Sequence, residues 1–509
     1  MLQETGKIVW LLGAVAALGG CATVNPKHDY GQVGRHVTEA TGQELVYQPE
    51  DDKLVSGIVE GLMQDGISAA EAVEICLLNN PTLQAAFMDV GMARADAVQA
   101  GLYTNPFLSI SALLPDGGGL ANIQSTIAQN IAELWQIPVR KRAAERSADA
   151  AILYLARTAV EIAADAKAAY YVAVGADERF RIAQENLDIA KNLLDLALAR
   201  QKAGAANELD VNLSRGIAVD AQIEVERARL GAADARRDLA AILGLTDDAD
   251  ALALTDTLPS EYPETPDAES LVLLAKAWRL DIQTTQQDVA SAQARLEYEY
   301  RLVFPDVQIG LSLERSERSR EGGRDILADT ARASIANGGL TAPGIQPRSE
   351  RRRQDGQGFI IGPSLGVTLP IFDQNQAQIA KAQYGLQQAR KSLDGLDRAV
   401  TQEVRSAVDR AMTAWRLMQM YRDQSIPLAQ DNLSLSREAY RAGRASFLSV
   451  LEAQRFFLDT RRGYVEALQS AAKMIPELER TIGLPFDRFL SEVNDLTKPK
   501  HVDEEDGGP

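Results

Sequence analysis

Two stretches of strict alternation mark the second half of the chain. In PDVQIGLSLE (305–314), Val307, Ile309, Leu311 and Leu313 alternate with Asp306, Gln308, Gly310 and Ser312. In IIGPSLGVTLP (360–370), Ile361, Leu365, Val367 and Leu369 alternate with Gly362, Ser364, Gly366 and Thr368. A noisier pair lies earlier: Leu108, Ile110 and Ala112, then Ile123, Ile127 and Ile131. A period of two gives a strand one apolar and one polar face. Strands are therefore predicted at about 106–114, 121–132, 305–314 and 359–370. About ten residues suffice to cross a bilayer in a barrel. A soluble sandwich would show the same alternation, so the strands alone leave both readings open.

The helical stretches are long. From Val139 to Gln201 the chain has no proline and only one glycine, Gly175. Those 63 residues would span roughly 95 Å at ~1.5 Å per residue. Asn375 to Arg441 is 67 residues, with a kink predicted at Pro427. The helices that follow, Asn207–Leu243 and Ser446–Ile482, are 37 residues each. Two more, Leu83–Tyr103 and Ile282–Val303, have 21 and 22 residues. A short helix stacked end to end on a returning one nearly equals a long one. Each half of the chain is thus read as two antiparallel rods, one continuous and one spliced.

The two halves are copies. QKAGAANELDVNLSR (201–215) echoes YRAGRASFLSVLEAQR (440–455) at a shift of 239, and Gly244-Leu245 meets Gly483-Leu484 at the same shift. Residues 83–110 match 282–309 at a shift of 199. Two shifts imply one duplicated unit with an insertion between its matched parts. The insertion, 314–357, carries nine arginines, which suit either phosphate recognition or a solvated loop. The boundaries follow: an N-terminal extended segment at 21–66, a first repeat at 67–280, a second at 281–490, and a disordered tail at 491–509.

The echoed stretches are helix–turn–helix corners. Gly204 and Gly443 suit the left-handed residue that ends a helix. Asn207 and Ser446, three positions on, suit the N-cap of the returning helix. Lys202 and Arg441 close the incoming helix, where its dipole favours a cation.

Charge and cysteine content narrow the class. The net charge of −18 argues against a nucleic-acid partner. Three histidines, all near the ends, make a histidine-built metal site an unpromising reading. No run of 18 apolar residues occurs, so no helical membrane span is predicted. Lys7 precedes IVWLLGAVAALGG, which ends at Cys21, a short secretory apolar region. Residues 1–20 read as a signal peptide, and LGGC (18–21) is similar to a bacterial lipobox. That similarity makes Cys21 the acylated first residue of the mature chain. Its acyl chains would anchor it at about 0.8 kcal/mol per buried CH₂, with Ala22 after it implying the outer membrane. Cys76, the other cysteine, reads as a small core residue.

Four strands cannot close a membrane barrel; about eight is the minimum. Open edges are not tolerated in lipid. Membrane strands would therefore need several copies sharing one barrel.

With these features together, the chain resembles the TolC family of outer-membrane efflux channels, in its lipoprotein branch. ISAAEAVEICLLNNPTLQAA (67–86), IGPSLGVTLPIFDQNQAQIAKAQ (361–383) and the two turns carry the resemblance, which extends over about 67–490. It implies a mainly α fold with a small β part: a long α-helical barrel capped by a transmembrane β-barrel shared between subunits. That means four strands per chain and a homotrimer. It also implies a passive gated conduit with no enzyme activity and no cofactor beyond the lipid on Cys21. Its partners would be its own copies, outer-membrane lipid, a periplasmic adaptor docked at the turns, and an inner-membrane pump of RND type. By the same resemblance Asp210 and Glu452 match acids that ring the pore mouth, and Ser449 stands where an aspartate can occur. Heavy-metal cations and drugs are the candidate cargoes. The competing reading, a periplasmic adaptor lipoprotein, would show one hairpin flanked by small β domains. Enzyme signatures such as a nucleophile elbow, P-loop or HExxH are not found.

Overall fold

The computed structural model describes residues 22–44, 52–114, 121–204, 206–245, 252–262, 266–304, 306–316, 326–340 and 358–497. Cys21, the signal region and most of the arginine-rich insertion lie outside the described residues. The chain forms two compact units, one from 1–97, 144–291 and 387–509, the other from 98–143 and 292–386.

In chain order the elements begin with helices α1 (Lys27–Thr41), α2 (Asp52–Leu62), α3 (Ala69–Asn79) and α4 (Pro81–Ala100). Strands β1 (Phe107–Leu113) and β2 (Asn122–Asn130) follow, then α5 (Glu133–Lys202) and α6 (Glu208–Ile242). Helix α7 (Ala268–Trp278) stands 199 positions after α3, so the second copy opens there and not at the expected 281. Then come α8 (Leu280–Arg301), β3 (Val307–Ser316), α9 (Ile326–Ala336) and β4 (Gly358–Val367). It continues with α10 (Gln376–Met420), α11 (Ile426–Arg441) and α12 (Phe447–Ile482), and α13 (Phe489–Thr497) ends the described chain. The fold is mainly helical with one small sheet.

Three further elements depart from the sequence reading. The segment 21–66, expected to be extended, contains α1 and α2. Helix α1 buries Val33 and Val37, ends on the left-handed Gly42, and is held by the buried Asp29. Asp29 accepts two hydrogen bonds from Arg94, one of them at 2.6 Å. The tail, expected to be disordered from 491, has its first residues in α13, where Phe489 is buried against Phe486. The kink expected at Pro427 is prepared one turn earlier by a π-helical turn at Tyr421–Ser425. The wider turn leaves a place for a ring that has no N–H to offer.

The sheet belongs to the smaller unit and is an antiparallel meander in the order β1-β2-β3-β4. Directly paired residues share a face. Leu311 of β3 pairs with Ile127 of β2 and Pro363 of β4, and Ile309 pairs with Leu365. Leu108 pairs with Ile127, so most apolar positions share one face, while Phe107, Leu113 and Ile360 register with the other. The other face carries Gln124, Thr126, Ser312 and Ser364, with Thr126 and Ser312 hydroxyls 3.2 Å apart. Gly310 is required there, because a Cβ would lie 2.7 Å from the Ile127 carbonyl oxygen. The apolar face is open in the single chain: Leu108, Ile110, Ile361 and Leu365 are all at least 60% exposed. Strands β1 and β4 leave an edge unpaired. At the exit from β4, Asn375 takes φ 61°, and its amide donates to the backbone oxygen and carboxylate of Glu299, both at 2.8 Å. This fixes where α10 starts.

In the larger unit the spliced rods are joined by side chains that serve two helix ends at once. Helix α6 ends at Gly244 (φ 71°) and leaves its last carbonyls free for outside donors. Asn80 donates to Ile242 O at 2.7 Å while its Oδ1 accepts from the Thr82 and Leu83 amides at the start of α4. Asn79 donates to Leu243 O and Gly244 O at 3.0 and 2.9 Å. The second copy repeats the arrangement with charged groups. Arg279, 199 positions after Asn80, donates to Thr481 O, 239 positions after Ile242, at 3.1 Å. Asp281 accepts from the Ile282 amide and from Arg279, the latter at 2.6 and 3.0 Å. Burial opposes ionisation of Asp281, but the Arg279 guanidinium outweighs it and holds the carboxyl below the usual aspartate range.

The two kinds of turn glycine should therefore respond differently to substitution. A Cβ on Gly244 would lie 2.3 Å from Asn79 O, whereas one on Gly443 meets nothing within 4 Å. Gly443→Ala is expected to cost about 1–2 kcal/mol, the left-handed penalty alone. Gly244→Ala adds a steric clash of about 1–3 kcal/mol. Thermal unfolding in detergent checks this, and equal losses would show that the close approach contributes nothing. The Asp281 bond is present above the ordinary aspartate range and is lost as pH falls through the depressed folded value. Stability is expected to drop at acid pH. Asp281→Asn should flatten that drop while costing about 3 kcal/mol at pH 7, where it leaves Arg279 buried without this anion.

Candidate functional site

The two corners of the larger unit are built from the same backbone with different side chains. In the first, α5 runs out at Lys202 and Gly204 turns at φ 68°. Asn207 then caps α6: its Oδ1 accepts from the Asp210 amide at 2.8 Å, and the Asp210 carboxylate accepts from the Asn207 amide at 3.4 Å. This reciprocal pair satisfies two of the free donors at the helix start. In the second corner, α11 ends at Arg441 and Gly443 turns at φ 70°. The Arg444 amide donates to Ala439 O at 2.8 Å, and the Ala442 amide to Glu438 O at 2.9 Å. Ser446 caps α12 by accepting from the Ser449 amide at 3.3 Å, while the Ser449 hydroxyl donates to Ser446 O at 2.6 Å. Asp210 and Ser449 are thus equivalent third residues of their helices, one charged and one neutral.

The corners touch. Leu193 of α5 packs in a small cluster with Tyr440, Phe447 and Val450 of the second corner. The Arg200 guanidinium lies over the Tyr440 ring, 4.3 Å from its centre, and Tyr440 tilts against Phe447 at 5.7 Å. The cation over the ring face and the paired rings fix the second hairpin against the first. None of these contact residues was singled out from the sequence. The available sign was the apolar spacing of Phe447 and Val450 at the start of a helix. Gln454 extends that row; it is 3% exposed, and neither its amide nitrogen nor its oxygen has a hydrogen-bond partner among the described residues.

The residues expected at a pore mouth do not sit in equivalent environments. Asp210 is half-buried and engaged in its cap, whereas Glu452 is exposed one turn further along α12. The expected lipid attachment, Cys21, lies outside the described residues. Cys76 is fully buried, and burial pushes its thiol up to about 12. Among the described residues no group of three His, Cys, Asp or Glu side chains is placed to hold a metal ion.

The comparisons with known proteins bear on this architecture. The chain is 24% identical to the cobalt-zinc-cadmium resistance protein CzcC of Cupriavidus metallidurans, over 68% of this chain and 73% of that one. It is 27% identical to the pyoverdine export outer membrane protein OpmQ of Pseudomonas aeruginosa, over 55% of this chain and 52% of that one. Its fold matches that of a membrane protein from Pseudomonas aeruginosa, with a TM-score of 0.64, 20% identity, and coverage of 81% and 93% of the two chains. It also matches the open-state MtrE outer membrane channel of Neisseria gonorrhoeae, with a TM-score of 0.61, 16% identity, and coverage of 81% and 88%. The pattern that defines outer membrane efflux proteins covers residues 72–245 and 271–484, one span in each repeat. With both repeats matched, the chain belongs to the outer membrane efflux protein family.

Proposed function

We propose that this chain is the outer-membrane conduit of a tripartite efflux assembly, in which three copies share one twelve-stranded barrel and a helical tunnel. The observation that carries the reading is the sheet. Its apolar face is exposed in the single chain and both edge strands are open. In water an exposed apolar face of this size marks a contact surface. In lipid that face is solvated and the open edges must be closed by other copies. The polar face, with Gln124, Thr126, Ser312 and Ser364, then lines the lumen. Family membership favours a channel over the adaptor alternative, which would carry one hairpin rather than two matched ones.

The remaining assignments rest on this frame. Cys21 is the acylated N-terminal residue that holds the chain to the outer membrane. The corners at Lys202, Gly204 and Asn207 and at Arg441, Gly443 and Ser446 dock a periplasmic adaptor, which binds an inner-membrane pump of RND type. Transport is passive through this component, with the energy supplied by the pump. Asp210 and Glu452 contribute carboxylates to the mouth, which enrich cations there and disfavour anions. Heavy-metal cations or drugs are the cargo classes. The named function of CzcC, cobalt-zinc-cadmium resistance, supports the first. The export named for OpmQ, of pyoverdine, supports an organic cargo.

Reconstitution of the purified protein in a planar bilayer tests the conduit. A low, cation-selective conductance is expected, and Asp210→Asn with Glu452→Gln should raise it and weaken the selectivity. Absence of conductance from inserted trimers under every condition overturns the reading. Native mass measurement giving a detergent-free single subunit does the same.

A further inference from the structure

Phe107 is a large apolar side chain on the polar face of the sheet. It pairs with Ala128 of β2, which pairs with Gly310 of β3, which pairs with Ser364 of β4. That row shares its face with Thr126 and Ser312, two positions along. Phe107 is 67% exposed, and its three row partners are all small. Directly paired side chains sit about 5 Å apart, so the ring looks over an open floor three strands wide. Gly310 keeps that floor low, since its Cβ would come within 2.7 Å of the Ile127 carbonyl oxygen.

The charge on this face has one sign. Among the described strand residues it carries Glu314 and no lysine or arginine. Asp306 continues the face beyond β3, where its backbone oxygen accepts from the Thr368 amide at 3.0 Å. Asn130, on the same face, donates through Nδ2 to Asp306 Oδ1 at 3.3 Å. Asp306 is exposed and pairs with no cation among the described residues. Phe107 and Asp306 both stand where helices enter the sheet, at the starts of β1 and β3. Ideal strand spacings put their α-carbons about 17 Å apart, a gap that the two side chains shorten to about 10 Å. A ring face attracts cations through its quadrupole and offers flat apolar area for stacking. A small hydrated ion gains from the first alone; a planar organic cation gains from both.

We propose that the helix-bearing end of the polar face is a cargo subsite for planar organic cations. Phe107 supplies the stacking surface, Ala128, Gly310 and Ser364 the open floor, and the Asn130-held carboxylate of Asp306 the counter-charge. The inference rests on the conduit reading above, in which this face lines the lumen. It selects organic cations among the cargo classes named there. The subsite is open and its contacts are few, so cargo is slowed on the wall and still leaves, as conduction requires.

Block of the conductance in a planar bilayer tests the subsite. The probes are ethidium, a planar cation; tetrapropylammonium, a cation without a flat face; and pyrene-1-sulfonate, a planar anion. Ethidium is expected to block the wild type. Phe107→Leu, which stays apolar but loses the ring, should weaken that block about fivefold, measured against each variant's own unblocked current. Phe107→Tyr should retain it, and Asp306→Asn should weaken it. The other two probes should block poorly and be indifferent to Phe107→Leu. Ethidium anisotropy with the detergent-solubilised full chain should rank the variants in the same order. Circular dichroism and native mass check that each variant is folded and assembled. Ethidium binding unchanged in Phe107→Leu overturns the proposal, as does pyrene-1-sulfonate acting like ethidium. The anisotropy needs no conductance, so failure of the conduit and failure of the subsite are read separately.

Discussion

Everything in the larger unit depends on joining one helix end to another without stranding backbone polar groups. A helix that stops leaves carbonyls unpaired, and one that starts leaves amides unpaired. Where two rods are spliced end to end, both sets fall at the same buried place. Asn80 meets both demands with one side chain, because an amide carries a donor and an acceptor on a single short stem. Its Nδ2 serves Ile242 O and its Oδ1 serves the Thr82 and Leu83 amides. Gly244 then lets the incoming backbone pass within contact of Asn79. Without that junction the short helix α4 would have no fixed axis relative to α6.

The second copy preserves the task and changes the chemistry. Arg279 donates to Thr481 O and Asp281 accepts from the Ile282 amide, so donor and acceptor are split between two residues that then neutralise each other. Glu403 adds a second acceptor for Arg279 at 2.8 Å. A neutral amide is cheap to bury, whereas an ion pair is costly unless its hydrogen bonds are complete. The second junction is therefore the pH-sensitive one and the first is not. The same divergence recurs at the corners, where the Asn207–Asp210 cap of one copy becomes Ser446–Ser449 in the other. Duplication kept the positive-φ glycines, which backbone geometry demands, and released the charges, which it does not.

How much of this was legible follows from the range of each interaction. Local rules were enough for the corners: a glycine and a capping residue three positions later predict a turn, and Gly204, Asn207, Gly443 and Ser446 form it. Alternation was enough for the strands, since directly paired residues such as Leu311 and Ile127 must share a face. Where the outcome depends on distant partners, the pattern was silent. Helix α1 is stabilised by Asp29 meeting Arg94, 65 residues away, and no local motif announces that pair. Arg200 over Tyr440 spans the two copies and is equally invisible in a window. The lone proline at 427 did mark a disturbance, but the helix absorbs it by widening at Tyr421–Ser425, a choice set by packing.

In the proposed conduit, the cap at Asp210 bears on what a carboxylate at the mouth can do. A capping acid ordinarily spends its oxygens on the amides of its own helix. Here only Oδ2 is engaged, and at 3.4 Å it is a long bond, while the stronger half of the pair is the Asp210 amide donating to Asn207 at 2.8 Å. The helix start is thus held mainly by the asparagine, and Oδ1 makes no hydrogen bond to the described chain. The carboxylate itself is therefore held only by that one long bond, and in the proposed conduit its other oxygen is the one left to face passing cations. Ser449 supplies the same fixed geometry without the charge, so the acid in that copy falls one turn later, at Glu452, exposed and uncapped. In the proposed three-copy ring, capped and uncapped carboxylates would alternate one helical turn apart, a staggered field rather than a single plane of charge.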